Sequence, residues 1–162
     1  MNGKQQVYQF LKQNKISYEV IEHEAVYTVD DMEALHLNDL APICKNLFLR
    51  DARGKRHFLV VMRHDRQANL KQLQQLLGSS KLSFASEERL TAFLGLKKGA
   101  VTPLGVLNDK DAAVEFVFDS KLRDMEKVGV HPNENTATVF LPFKAVESIV
   151  KANGNRVIYV EL

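Results

Sequence analysis

Two apolar runs flanking a tight turn signal constrain this chain more than any other feature. Asn46 to Arg50 and His57 to Met62 have strand length and strand composition, and Asp51-Ala52-Arg53-Gly54 separates them with turn-forming residues. The pattern predicts a β-hairpin, so at least one strand pair is antiparallel. The remaining short strands alternate with helices along the chain. A hairpin inside that alternation argues against a purely parallel, doubly wound sheet and predicts an α/β domain with a mixed sheet flanked by helices.

The flanking elements follow from periodicity and caps. Lys4 to Asn14 places Val7, Phe10 and Leu11 at helical spacing, and Ser17 to Glu22 alternates as a short strand. Thr28 followed by Asp30 and Asp31 reads as an N-cap with acids in the first turn, opening a helix through about Leu37. Asn69 caps a helix carrying Leu70, Leu73, Leu76 and Leu77 that Gly78 closes, and Ser86 caps another that ends at Gly95. Ala113 to Phe118 and Ala137 to Leu141 read as strands. Pro142 suits the first position of a helix through about Ala152, and Arg156 to Glu161 is a last strand. No repeat, linker or low-complexity stretch divides the 162 residues, so one domain is expected over 1–162.

Charge matters more by position than by sum. The formal net charge is only +2, which excludes a histone-like binder. Yet Ile16 to Cys44 carries seven acids and no Lys or Arg, while Lys45 to Lys71 carries eight basic residues against two acids. Lys97 and Lys98 add a second basic point beside a glycine loop. A basic stripe on the hairpin is either a phosphate-contacting surface or an ordinary solvated strand face. One cysteine, Cys44, allows no internal disulfide and no Cys-cluster zinc site. The start, MNGKQQVYQF, has no apolar signal core, and no apolar run is long enough to span a bilayer. A cytoplasmic setting is expected.

Several catalytic signatures are missing: there is no G-x-S-x-G, H-E-x-x-H, G-x-G-x-x-G or Walker ending. Five histidines are scattered without metal spacing, so no metal or cofactor is expected. Three local constellations remain. In Cys44-Lys45-Asn46 the lysine stands at the mouth of an apolar strand, either as a point charge for a phosphate or polarised carbonyl, or as a snorkelling side chain. Cys44 itself reads as a small core residue. In Lys98 to Gly105, two glycines and a proline make a loop whose backbone N–H groups either point outward, as oxyanion or ribose-hydroxyl donors, or simply connect. Gly129 to Thr136 is either a plain turn or a way of presenting His131 and Asn135 to a pocket.

In this order, HEAVYTVDD (His23 to Asp31), CKNLFLRD (Cys44 to Asp51), KGAVTPLG (Lys98 to Gly105) and HPNENTATV (His131 to Val139) resemble the YbaK-like, prolyl-tRNA-synthetase-associated editing family. The resemblance covers nearly the whole chain and is closest to the free-standing type that deacylates alanyl-tRNA(Pro). It implies a curved mixed sheet covered by helices, an aminoacyl-tRNA deacylase activity, and the tRNA acceptor end as partner, with prolyl-tRNA synthetase a possible second; neither membrane nor DNA is implied. Lys45, Asn46 and Gly99 then take the catalytic positions. Thr28, Met32, Ala100, Val101, Thr102, Pro103, His131 and Asn135 take substrate-binding ones. Arg63 to Gln67 is more basic than the family pattern, a departure expected to affect the tRNA-contacting surface and not the pocket.

What such a domain has to do follows from size discrimination. A synthetase site shaped for proline cannot exclude alanine by sterics, since a few missing methylenes are worth only about 1–3 kcal/mol. A second sieve that admits alanine and refuses proline supplies the rest. The ester is activated, so water, a ribose hydroxyl and backbone donors suffice without a covalent nucleophile. Rival readings are a deacylase for another misacylated tRNA, such as cysteinyl-tRNA(Pro), and a non-catalytic module that holds the acceptor end.

Overall fold

The computed structural model describes residues 3–162, with helices α1 (Gly3–Gln13), α2 (Val29–Ala34), α3 (Leu70–Leu77), α4 (Glu87–Leu94) and α5 (Phe143–Ala152). The strands are β1 (Glu19–Glu22), β2 (Cys44–Arg50), β3 (His57–Arg63), β4 (Ser83–Phe84), β5 (Val114–Asp119), β6 (Val128–Val130), β7 (Ala137–Leu141) and β8 (Val157–Val160). The expected hairpin forms over its whole length, from the pair Cys44↔Arg63 to Arg50↔His57. Asp51 secures its turn: one carboxylate oxygen accepts from the N–H groups of Lys55 and Arg56.

β2 and β3 sit inside a five-stranded sheet ordered β4-β2-β3-β5-β8, in which β3–β5 and β5–β8 are parallel. The sheet is therefore mixed, as the hairpin required. Both of its faces are covered. Phe58, Val60 and Met62 pack against Leu73 and Leu77 of α3. Leu59 and Val61 face the larger core shared with Val7 and Leu11 of α1 and Val146 and Val150 of α5. A strand buried on both sides reads as an unbroken apolar run, which is why His57 to Met62 shows no polar alternation.

A second sheet, β1-β7-β6, is antiparallel throughout. It joins the first through one parallel bridge, Ile43↔Gly129, with Gly129 N–H donating to the Pro42 carbonyl at 2.8 Å. A Cβ on Gly129 would lie 2.4 Å from Ile43 Cδ1 and 2.9 Å from Phe140, so any larger residue would have to displace these side chains where the two sheets meet. The elements missed by periodicity are β4 and β6, two and three residues long, too short to carry a pattern.

The helix opened by Thr28 is shorter than expected. Its cap is as predicted: Thr28 Oγ1 accepts from Asp31 N–H, and the Asp31 carboxylate accepts from the Thr28 N–H. It ends at Ala34 because His36 adopts a left-handed φ of 55°, after which Leu37–Asp39 forms one 3-10 turn. Among the described residues, no helix is long and apolar enough to cross a membrane.

Candidate active site

Among the described residues, the outer edge of β2 is engaged in two places only. β6 meets it at Ile43, and β4 pairs with it at Leu49 and Arg50, where Ala85 N–H also reaches the Phe48 carbonyl. Among the described residues, no strand covers 44–47 between them. Into this gap open a cavity of about 200 Å³ and, further along, a wider groove. The cavity's walls come from distant parts of the chain: Thr28 at the cap of α2 and Met32 within it, Lys45 from β2, Gly99 from the loop after α4, and His131 just after β6. Val26, Ile43 and Val130 make much of the remainder apolar.

Lys45 is half-buried and its ammonium has no hydrogen-bond or ion-pair partner among the described residues. A cation held this way at the rim of an apolar cavity is available to an anionic or polarised group. Gly99 has a φ of 88°, and a Cβ there would press on Tyr27 Cδ1 at 3.3 Å and Asn135 Nδ2 at 3.4 Å. Its N–H finds no acceptor among the described residues, whereas the Ala100 N–H closes a turn onto the Lys97 carbonyl at 3.0 Å. Gly99 is the residue of this loop that lines the cavity.

The histidine state follows from its partners. Burial lowers the His131 pKa, outweighing its hydrogen bond to the Ala137 carbonyl, so the ring is neutral at pH 7. A carbonyl only accepts, so the 3.0 Å contact places the proton on Nδ1 and leaves a lone pair on Nε2. His23 lies beside it, with ring centroids 6.3 Å apart, and contacts Thr138 Oγ1 at 2.9 Å. Cys44 also lines the cavity, but burial pushes its thiol pKa up to about 12, so it contributes packing and no thiolate.

The predicted residues divide among several places. Thr28, Met32, Lys45, Gly99 and His131 share the cavity. Asn46 and Val101 line the neighbouring groove. Ala100 and Asn135 border a third depression, where Asn135 Nδ2 donates to the Val26 carbonyl at 2.8 Å. Thr102 and Pro103 are buried, and the Thr102 hydroxyl caps the 3-10 turn Pro103–Asn108 by accepting from Leu104 N–H.

One expectation fails. The segment Arg63 to Gln67 does touch the pocket, through His64. β3 ends opposite Cys44, so the next residue necessarily lies beside Ile43, to whose carbonyl His64 N–H donates at 2.9 Å. Asn38 fixes its ring: Asn38 Oδ1 accepts from Ile43 N–H, which turns Nδ2 toward His64 Nε2 at 2.9 Å. The hairpin register carried the information needed to place His64. Sequence reasoning also does not single out Tyr27, Asn38 or Thr138; Tyr27 and Thr138 lie within the four motifs, whereas no local motif marks Asn38.

With this geometry in view, comparison with known proteins is specific. Residues 23–149 match the aminoacyl-tRNA editing domain. The chain is 52% identical over 162 residues to the prolyl-tRNA editing protein ProX of Acetoanaerobium sticklandii, covering 100% of this chain and 99% of that protein. It is 40% identical over 145 residues to prolyl-tRNA synthetase associated domain-containing protein 1 of Mus musculus, covering 86% and 85%. A crystal structure of a candidate trans-editing enzyme for prolyl tRNA synthetase superposes with a TM-score of 0.74 over 100% of this chain and 98% of that one. Its 18% identity speaks for the fold alone.

Proposed function

The chain belongs to the aminoacyl-tRNA editing domain family, and on that footing we propose that it acts in trans on alanyl-tRNA(Pro), hydrolysing the ester that a proline site cannot avoid making. Its membership makes it an aminoacyl-tRNA deacylase. The observation that carries the finer reading is the cavity itself: about 200 Å³, mostly apolar, with an unpartnered lysine at its rim. That is below the ordinary range for small-molecule pockets, about 300–1,000 Å³, and suits a small aliphatic side chain.

The chemistry proceeds by direct hydrolysis. Water attacks the ester carbonyl carbon, the developing oxyanion is held by the Gly99 N–H, and the bond to the ribose oxygen breaks. That oxygen takes up a proton, releasing alanine and tRNA. The lining residues include no carboxylate, and Cys44 is protonated, so a ribose hydroxyl of the substrate is the proposed proton relay. Lys45 orients the terminal nucleotide and stabilises the transition state electrostatically. His131 acts as a wall of the sieve. Asn46, Ala100, Val101 and Asn135 support these elements from the adjoining surfaces, and Thr102 and Pro103 hold the loop from beneath. Prolyl-tRNA synthetase, which supplies the mischarged substrate, is the proposed partner, and the cytoplasm the proposed setting.

The test is a panel of alanyl-, seryl-, cysteinyl- and prolyl-tRNA(Pro) hydrolysed side by side. Preference for the alanyl ester with prolyl ester spared is the expected result. Preference for the cysteinyl ester would reassign the substrate, and binding without turnover on all four would reduce the protein to an acceptor-end binder.

A further inference from the structure

Beyond the cavity, the uncovered edge of β2 runs into a groove of about 420 Å³ lined by Asn46, Phe48, Phe84, Glu87, Lys98 and Val101. The two spaces are neighbours twice over: Lys45 and Asn46 are consecutive, as are Lys98 and Gly99, and each pair contributes one residue to each space. Phe84, on the two-residue strand β4, is 63% exposed, and the buried Asn46 Oδ1 has no hydrogen-bond donor. At the far end of the groove, Phe84 pairs with Leu49, next to Arg50.

Arg50 and Arg89 converge there. Guanidinium nitrogens of both lie within 3.1 Å of the point where a Cβ on Gly54 would sit. Neither has a carboxylate at ion-pairing distance among the described residues. Their acceptors are the main-chain carbonyls of Asp51, Ala52 and Gly54, and His57 Nε2. Two neighbouring guanidiniums without an anion repel each other, and a phosphate between them would remove that cost while accepting paired N–H bonds. Glu87 is the one acid lining the groove, against Lys98 in it and this arginine pair beyond.

We propose that the groove and the arginine pair bind the unpaired 3′ strand of the aminoacyl-tRNA, with a nucleobase stacked on Phe84 and strand phosphates on Lys98, Arg50 and Arg89. This rests on the editing reading for the identity of the strand. A stacking platform beside spaced cations is the sequence-tolerant way to hold single-stranded nucleic acid. From Lys45 to Arg50 the strand spans about 17 Å, room for more than one nucleotide between ester and duplex.

Two readouts test it. Phe84→Ala should raise KM for alanyl-tRNA(Pro) by about five- to a hundredfold, the worth of one stacked base. It should leave kcat, and hydrolysis of alanyl-adenosine, unchanged, and Phe84→Trp should restore KM. Arg50→Gln should flatten the plot of log Kd against log salt by about 0.7, measured with an uncharged RNA hairpin ending in single-stranded CCA. Equal binding of a blunt duplex, or a Phe84→Ala enzyme with wild-type KM, would overturn the proposal while leaving editing intact. Failure of the wild type on every ester would instead fell the editing reading, and the RNA-binding arm would still decide the groove.

Discussion

Two buried polar regions of this protein are built on opposite principles. At the junction of β5 and β8, the Asp109 carboxylate accepts from Ala113 and Val114 N–H and from Asn155 Nδ2. Asn155 in turn donates to the Val114 carbonyl and accepts from Asn153 Nδ2, which also reaches the Asp109 carbonyl. Each of these atoms has a partner, and the network ties the start of one parallel strand to the segment entering the next. Around the cavity the opposite holds: Lys45 is unpaired, Asn46 Oδ1 has no donor, and the Gly99 N–H has no acceptor among the described residues. Satisfied polar groups in a low-dielectric interior fix structure, whereas unsatisfied ones at a cavity hold interactions in reserve for a ligand.

Mutation should separate the two regions cleanly. The largest effect is expected at Lys45→Ala, which should cut kcat/KM for deacylation by about tenfold to a thousandfold. Its thermal unfolding should match the wild type, because no folded-state contact of the ammonium is lost. A comparable loss of melting temperature would mean the lysine is a structural residue.

Asp109→Ala is the converse. Removing the carboxylate strands two buried N–H groups and an amide, so stability should fall by about 3 kcal/mol in denaturant titration. Catalysis by the remaining folded enzyme should be near normal. Impaired turnover at a temperature where the variant is folded would erase the distinction drawn here.

His131→Ala sits between the regions, since the ring both lines the cavity and donates to Ala137. Trimming it should relax discrimination against larger aminoacyl groups by about 1–3 kcal/mol, read as the ratio of prolyl to alanyl ester hydrolysis. A uniform collapse across substrates, together with the loss of an acid limb in the pH profile, would assign it the role of base instead.

The smallest effect is a pH dependence of stability. Burial lowers the pKa of both His57 and His131, with Arg89 adding to the effect at His57. The unfolded chain therefore binds protons that the native state refuses once pH drops below about 6.5, so stability is full above that value and falls beneath it. Melting temperature should decline as pH falls from about 6.5 to about 5.5, before the carboxylates titrate. His57→Phe, which keeps the ring stacked on Phe48 and Phe93, should reduce that decline. An unchanged slope would show that His57 is not a source of it.

The fold was legible where a local rule acts alone. The caps at Thr28, Asn69 and Ser86, the stops at Gly78 and Gly95, and the hairpin turn at Asp51 to Gly54 all depend on neighbours in sequence, and all are found in the structure. The four motifs were equally legible, because family likeness is carried by residue order. How those motifs divide in space was not. Lys45 and Asn46 are adjacent in sequence, yet they line different spaces, because the walls facing them come from distant segments, α2 and His131 for the cavity and β4 for the groove.

What the amino-acid sequence determined by itself was the class of sheet, the order of the longer helices and strands, and the family. Tertiary structure decided where the sheets meet and therefore where the site is. The close approach of Ile43 to Gly129 closes one end of the β2 edge, and β4 closes the other. The gap between them brings residues more than a hundred positions apart, Thr28 and His131, to one cavity. Contacts at that separation depend on packing that no local window contains, which is why Asn38, outside all four motifs, emerged only from the folded chain.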